Sequence, residues 1–224
     1  MKNVVILAAG PPKVGRNRHL EVNPSNQTII IEDIIDKCRL KDTNLFVVIS
    51  KENIVLKEYL QTIENLEIIT PKDDKIYSTF ESALSVKGDV IMVCGDLINL
   101  RKGDVDKFAD SEYDSATCVY DIPWGDSISS NTPGLYRRGD VGDCMGMISE
   151  KHKKLFLSED IYESSKKYYK KFNPSSEMNE YVYNDVGTFM SFSFFKKIWS
   201  DKNCNSFENI GSVKFNHQVY LDND

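Results

Sequence analysis

The chain has 224 residues, 41% of them hydrophobic and 28% charged, with a formal net charge of −6. That length suits one mid-sized domain with a sizeable core, and the acidic balance argues against a nucleic-acid binder, whose footprint is a basic face. No apolar run approaches the roughly 18 residues a membrane span needs.

Val4 to Ala8 is a continuous apolar run that stops at Gly10, the pattern of a strand buried on both faces. Ile30, Ile31, Ile34, Ile35 and Cys38 follow at helical spacing. A strand over Leu45–Ile49, a helix over Ile54–Leu60 and a short strand over Leu66–Ile69 come next, the last ending at Pro71. Tyr77, Phe80, Ala83, Leu84 and Val86 mark another amphipathic helix, and Val90 to Cys94 a strand ending at Gly95-Asp96. Strand and helix thus alternate through the first hundred residues, which predicts a single-domain α/β fold with a mostly parallel open sheet flanked by helices. Ligands of such sheets bind beyond the carboxyl ends of the strands, where Gly10 and Asp96 both fall.

The second half is less regular. Ala116–Tyr120 reads as a strand, Gly125–Gly134 as a polar loop, Ser158–Phe172 as an exposed helix, and Gly187–Phe192 as a strand leading into a short helix through Trp199. No linker divides the chain into two folding units. Cys38, Cys94, Cys118, Cys144 and Cys204 form no Cys-x-x-Cys pair, and the N-terminal apolar run is too short for a signal peptide. Both features predict reduced thiols in a cytoplasmic protein.

"GPPKVGRN", Gly10 to Asn17, has the glycine spacing of a Walker-type phosphate loop but not its chemistry. Arg16 stands in place of the lysine and Asn17 in place of the magnesium-binding hydroxyl. Pro11 and Pro12 lack the N–H groups that such a loop aims at phosphate. A G-x-G-x-x-G dinucleotide fingerprint is absent as well.

"VVILAAG" followed by a basic segment resembles the opening of the nucleotidyltransferases that make activated sugars and related metabolites. Leu7-Ala8-Ala9-Gly10 matches that family's Leu-Ala-Ala-Gly in full, and "HLEVNPSNQTIIIEDII" is similar to its turn and Ile-rich helix. The second glycine is a proline here, and Asn17-Arg18 stands where Pro-Lys is usual. "STFESALSVKGDVIMVCGDLI" resembles the family's helix, strand and Gly-Asp stretch, and "GMISEK" its Glu-Lys segment. "NDVGTFMSFSFFKKI" looks like its Asn-x-Gly strand and following helix, and the terminal "VYLDND" like its late aspartate segment.

The resemblance implies a glycosyltransferase-A-like fold and a magnesium ion as cofactor. Asp96 would be its first ligand, against a plain turn-forming Gly-Asp, and Asp222 or Asp224 the second, against a frayed acidic end. Leu7, Ala8, Ala9 and Gly10 would line the nucleotide. Ser78 would help hold the base, although an N-cap before the third helix explains it equally well. Lys13, Arg16 and Arg18 would clamp the triphosphate, with Arg18 in the place of the family lysine. Lys151 would meet the acceptor phosphate with Glu150 orienting it, against a solvated charge run. His19, His152 and His217 have no metal spacing and read as surface or packing residues.

The implied reaction joins a nucleoside triphosphate, CTP by analogy with compact family members, to a phosphorylated small metabolite and releases pyrophosphate. No nucleic acid or membrane takes part. Two rivals share the fold or the ligand. A glycosyltransferase would use a sugar nucleotide, but "CGDL" lacks Asp-x-Asp. The altered basic loop is also compatible with a non-catalytic nucleotide-binding regulator.

Overall fold

The computed structural model describes residues 2–10, 16–74, 76–120, 141–156 and 209–217. They group into two compact units, one running to Ser111 and the other starting at Glu112. Lys13, Asp222 and Asp224 lie outside the described residues, as do the expected loop 125–134, helix 158–172 and strand 187–192.

The first unit is built on β1 (Lys2–Ala8), α1 (Ile30–Cys38), β2 (Asn44–Ile49), α2 (Ile54–Leu60), β3 (Glu67–Ile69), α3 (Ile76–Leu84) and β4 (Asp89–Cys94), followed by the single turn α4 (Asp106–Ala109). Its strands lie in the order β3-β2-β1-β4, all parallel. β1 sits between β2 and β4, with Val4 paired to both Leu45 and Ile91. A strand flanked on both edges and covered on both faces is apolar along its middle, and Val4, Val5, Ile6 and Ala8 are fully buried.

α1 buries Ile30, Ile31, Ile34, Ile35 and Cys38 on one stripe, which is the helical spacing seen in the sequence. Burial pushes the Cys38 thiol well above its ordinary range, so it stays protonated and unreactive. α2 begins at Asn53, whose side-chain oxygen accepts from the Leu56 N–H at 3.3 Å, an N-cap that satisfies one orphan helix donor. Gly88 takes a positive φ of 92° to turn the chain into β4, a conformation that costs glycine little.

In the second unit β5 (Ser115–Tyr120) lies between β6 (Val141–Ile148), antiparallel, and β7 (Ile210–Phe215), parallel. The β5–β6 register slips between Thr117 and Val119, a bulge-type irregularity. β6, β7 and the short α5 (Lys153–Phe156) have no counterpart in the sequence reading, whereas β5 does. Met145, Met147, Ile148, Ala116, Cys118 and Phe215 form this unit's core.

Candidate functional site

β1 continues through α1 to β2 on one side, while β4 joins β1 on the other. The strand order therefore reverses between β1 and β4, and the carboxyl ends of that pair form the crevice where open α/β sheets bind ligands. The chain at this point is drawn tight. Gly95 N–H donates to the Leu7 carbonyl at 2.8 Å. A Cβ on Gly95 would meet the Ala8 Cβ at 2.9 Å, the Leu7 oxygen at 3.0 Å and the His19 ring at 3.2 Å. Only a residue without a side chain lets the Gly-Asp turn lie this close to the Leu-Ala-Ala-Gly strand end.

A 3-10 turn, Arg18–Leu20, comes up against the Gly-Asp turn, with the His19 ring beside Gly95. The Arg18 Nε stands 3.8 Å from Asp96 Oδ2, and the two side chains are 36% and 28% exposed. That distance is charge pairing beyond hydrogen-bond range. Asp96 offers the hard oxygen chemistry that magnesium prefers; that ion needs only one or two carboxylates alongside phosphate oxygens and water, and the residue fits the role. Among the described residues no group of three or more His, Cys, Asp or Glu gathers at a metal distance.

His19 shares the crevice, a placement the sequence reading did not anticipate. Its burial lowers the imidazole pKa, Asp96 opposes that shift and Arg18 adds to it. Asn17, just before Arg18, donates to the Asn53 side-chain oxygen at 2.8 Å and so ties the turn to the N-cap of α2. Arg16 differs from Arg18: it is largely exposed and holds both Glu21 oxygens, at 2.9 and 3.0 Å.

Ser78 is the third residue of α3 and 1% exposed, so it is not the N-cap of that helix. Its carbonyl accepts from the Ser82 hydroxyl at 2.7 Å. The N-cap reading fails because the helix starts at Ile76, one turn earlier than the serine suggests.

In the second unit Lys151 is about half-exposed and pairs with Asp114 at 2.5 Å. Asn209 also donates to that carboxylate, at 3.2 Å, and Lys151 holds the Asp114 carboxyl below its usual range. Glu150 accepts from Lys153 at 2.8 Å. The carboxylate seated on Lys151 is thus Asp114, and Glu150 serves a different lysine. His152 is buried, with Nδ1 2.8 Å from the Ser115 hydroxyl, which also accepts from the Ser149 N–H at 3.0 Å. It is a packing residue, as the sequence suggests.

No family model matches the chain, and no curated protein does. Solved structures do match over nearly its whole length. The 4-diphosphocytidyl-2C-methyl-D-erythritol synthase of Anaerococcus prevotii is 15% identical, with 100% of this chain and 91% of that one covered and a TM-score of 0.58. A putative glucose-1-phosphate thymidylyltransferase of Bacillus anthracis is 11% identical over 96% and 87%, with a TM-score of 0.58. The CTP:phosphocholine cytidylyltransferase of Streptococcus pneumoniae is 12% identical over 97% and 91%, with a TM-score of 0.52. At these identities the likeness is one of fold, and the chain carries the α/β fold of the nucleotidyltransferases.

Proposed function

We propose that this chain is a cytoplasmic, magnesium-dependent nucleotidyltransferase that moves CMP from CTP to the phosphate of a small metabolite and releases pyrophosphate. The observation that carries the reading is the Arg18–Asp96 pair, 3.8 Å apart at the β1–β4 switch point and beside the Leu-Ala-Ala-Gly strand end. In this reaction an acceptor phosphate oxygen bonds to the α-phosphorus and the bond to the β-phosphate oxygen breaks. Two anions must approach, and negative charge builds on the leaving pyrophosphate, so positioned cations are the main catalytic need.

Arg18 is the described cation at the crevice, and its fork suits two phosphate oxygens at once. Lys13 and Arg16 add positive charge along the same basic segment. Asp96 would hold the magnesium ion, with Asp222 or Asp224 as a second ligand, and the ion would supply charge neutralisation on phosphate oxygens. Leu7, Ala8, Ala9 and Gly10 line the nucleotide, with Ser78 on the base side. Lys151 takes the acceptor phosphate. The names of the Anaerococcus and Streptococcus structures support CTP, and that of the Bacillus structure is the reason to test other nucleotides.

The test is pyrophosphate release across the four NTPs with pooled phosphorylated metabolites and magnesium. Release that needs both CTP and an acceptor is the expected result. Asp96→Asn should abolish it without lowering the melting temperature. No acceptor-dependent release with any NTP, or full activity in Asp96→Asn, would overturn the assignment.

A further inference from the structure

Asn23 falls in the stretch "HLEVNPSNQTIIIEDII", which gives it no individual role, yet it is fully buried. Its N–H donates to the Thr28 carbonyl at 2.7 Å and its carbonyl accepts from Gln27 N–H at 2.9 Å. Its side-chain oxygen accepts from Ser25 N–H at 3.0 Å. These bonds close a turn over residues 23–28, with Gln27 at a φ of 61°. The turn needs only the backbone and the oxygen, which leaves the two hydrogens of the side-chain amide for contacts elsewhere.

Both are used. One goes to Asp33 Oδ2 on α1 at 2.9 Å, the other to the Ile98 carbonyl at 3.1 Å, two residues past Asp96. Asp33 lies among the buried isoleucines of α1 and is only 9% exposed. A buried carboxylate is tolerated when its oxygens are saturated. Asn26 and Lys37 complete that set at 2.7 and 2.6 Å. The Asn23 amide is therefore a short polar strut between the segment beginning at Arg18 and the loop that bears Asp96.

We propose that Asn23, seated on Asp33, is a positioning residue that sets the separation of Arg18 and Asp96. Arg18 sits on the 3-10 turn and Asp96 on the Gly-Asp turn, and no strand ladder runs between those two turns. The strut joins those pieces directly, and Asp33 anchors it to the helix. The kinetic part of this proposal rests on the transfer reading above, whereas the mechanical part does not.

Asn23→Ser keeps an oxygen for Ser25 N–H and removes both amide donors. Hydrogen exchange should then quicken about tenfold or more at residues 20–23 and at 95–100 together, with β1 and β2 unchanged. Lys37→Met takes a donor from the same Asp33 carboxylate without touching Ile98, and should leave 95–100 as in the wild type. With CTP and an acceptor, kcat of Asn23→Ser should fall about ten- to a hundredfold, the scale expected of a misplacement near 1 Å, while the acceptor KM stays within about twofold. Should Asn23→Ser fail to fold, Asp33→Asn weakens the same seat more gently and carries the same expectations.

Faster exchange at 20–23 alone, or an equal response in Lys37→Met, would show that Asn23 merely closes its own turn. Coupled exchange with unchanged kcat would remove the positioning role. If the wild type transfers nothing, the transfer reading fails while the exchange pattern still decides the strut.

Discussion

Replacing Gly95 with alanine adds one carbon to the tightest point of the crevice. That carbon would lie 2.9 Å from the Ala8 Cβ and 3.0 Å from the Leu7 carbonyl oxygen. Both neighbours belong to the end of β1, which is fixed between two parallel partners, so neither can swing away as a long side chain would. Relief must come from moving the Gly-Asp turn outward, which also stretches the 2.8 Å bond from Gly95 N–H to Leu7. Overpacking of this kind costs about 1–3 kcal/mol. For a chain of this length each kcal/mol shifts Tm by about 2–4 °C, so Gly95→Ala should melt about 2–12 °C below the wild type. Circular dichroism melts at fixed pH and ionic strength read the effect. Because the turn carries Asp96, pyrophosphate release should fall as well, even well below the melting point. Ala8→Gly in the same chain should recover part of the lost Tm by removing the nearer obstacle. A single variant that melts within about 1 °C of the wild type, with unchanged kcat, would refute the close-approach reasoning.

Arg18→Ala should lower kcat by about ten- to a hundredfold, the equivalent of a charge-assisted contact of about 1.5–3 kcal/mol, and Arg18→Lys should recover part of it. Steady-state kinetics on both variants checks this, and a neutral Arg18→Ala would move the phosphate clamp elsewhere. Lys151→Ala should raise KM for the acceptor more than KM for CTP, which equal shifts in the two would contradict. Burial, reinforced by Lys151 and opposed by Asp114, holds the His152 imidazole below its ordinary value. The folded chain therefore declines a proton that the unfolded chain accepts, and stability falls as pH drops from about 6.5 through the lower folded value. Melts of His152→Asn between about pH 7 and 5 should show a shallower pH dependence than the wild type, and parallel curves would refute the assignment. Asn53→Ala removes the α2 N-cap and should cost about 0.5–2 kcal/mol in denaturant unfolding; an unchanged midpoint would argue against the cap.

The first unit was legible because its strands are unbroken apolar runs and its helices repeat Ile, Leu or Phe at three- and four-residue steps. β6 escaped notice for a physical reason. Gly142, Asp143 and Gly146 interrupt it, and these residue types are poor in strands unless a partner strand enforces pairing. β7 spaces its apolar residues with Gly211, Ser212 and Lys214, and the four-residue helices α4 and α5 are too short to show a period. At the site, the Leu-Ala-Ala-Gly and Gly-Asp stretches could be read directly, but the nearness of Arg18 to Asp96 shows only in the folded chain. Asn23 and Asp33 were invisible because a buried amide and carboxylate look like surface residues until their partners are known. The one available hint was an aspartate on the isoleucine-rich side of α1.

The anchoring of the site at two separate posts bears on how this chain can vary. One post is the end of β1, bonded to Gly95 through the Leu7 carbonyl; the other is Asn17, bonded to the N-cap Asn53. The first post is a main-chain bond and survives any change of the Leu7 side chain, whereas the second hangs on two side chains and is lost with either. Drift in this region should therefore begin on the Arg18 side and leave the Gly-Asp turn where it is.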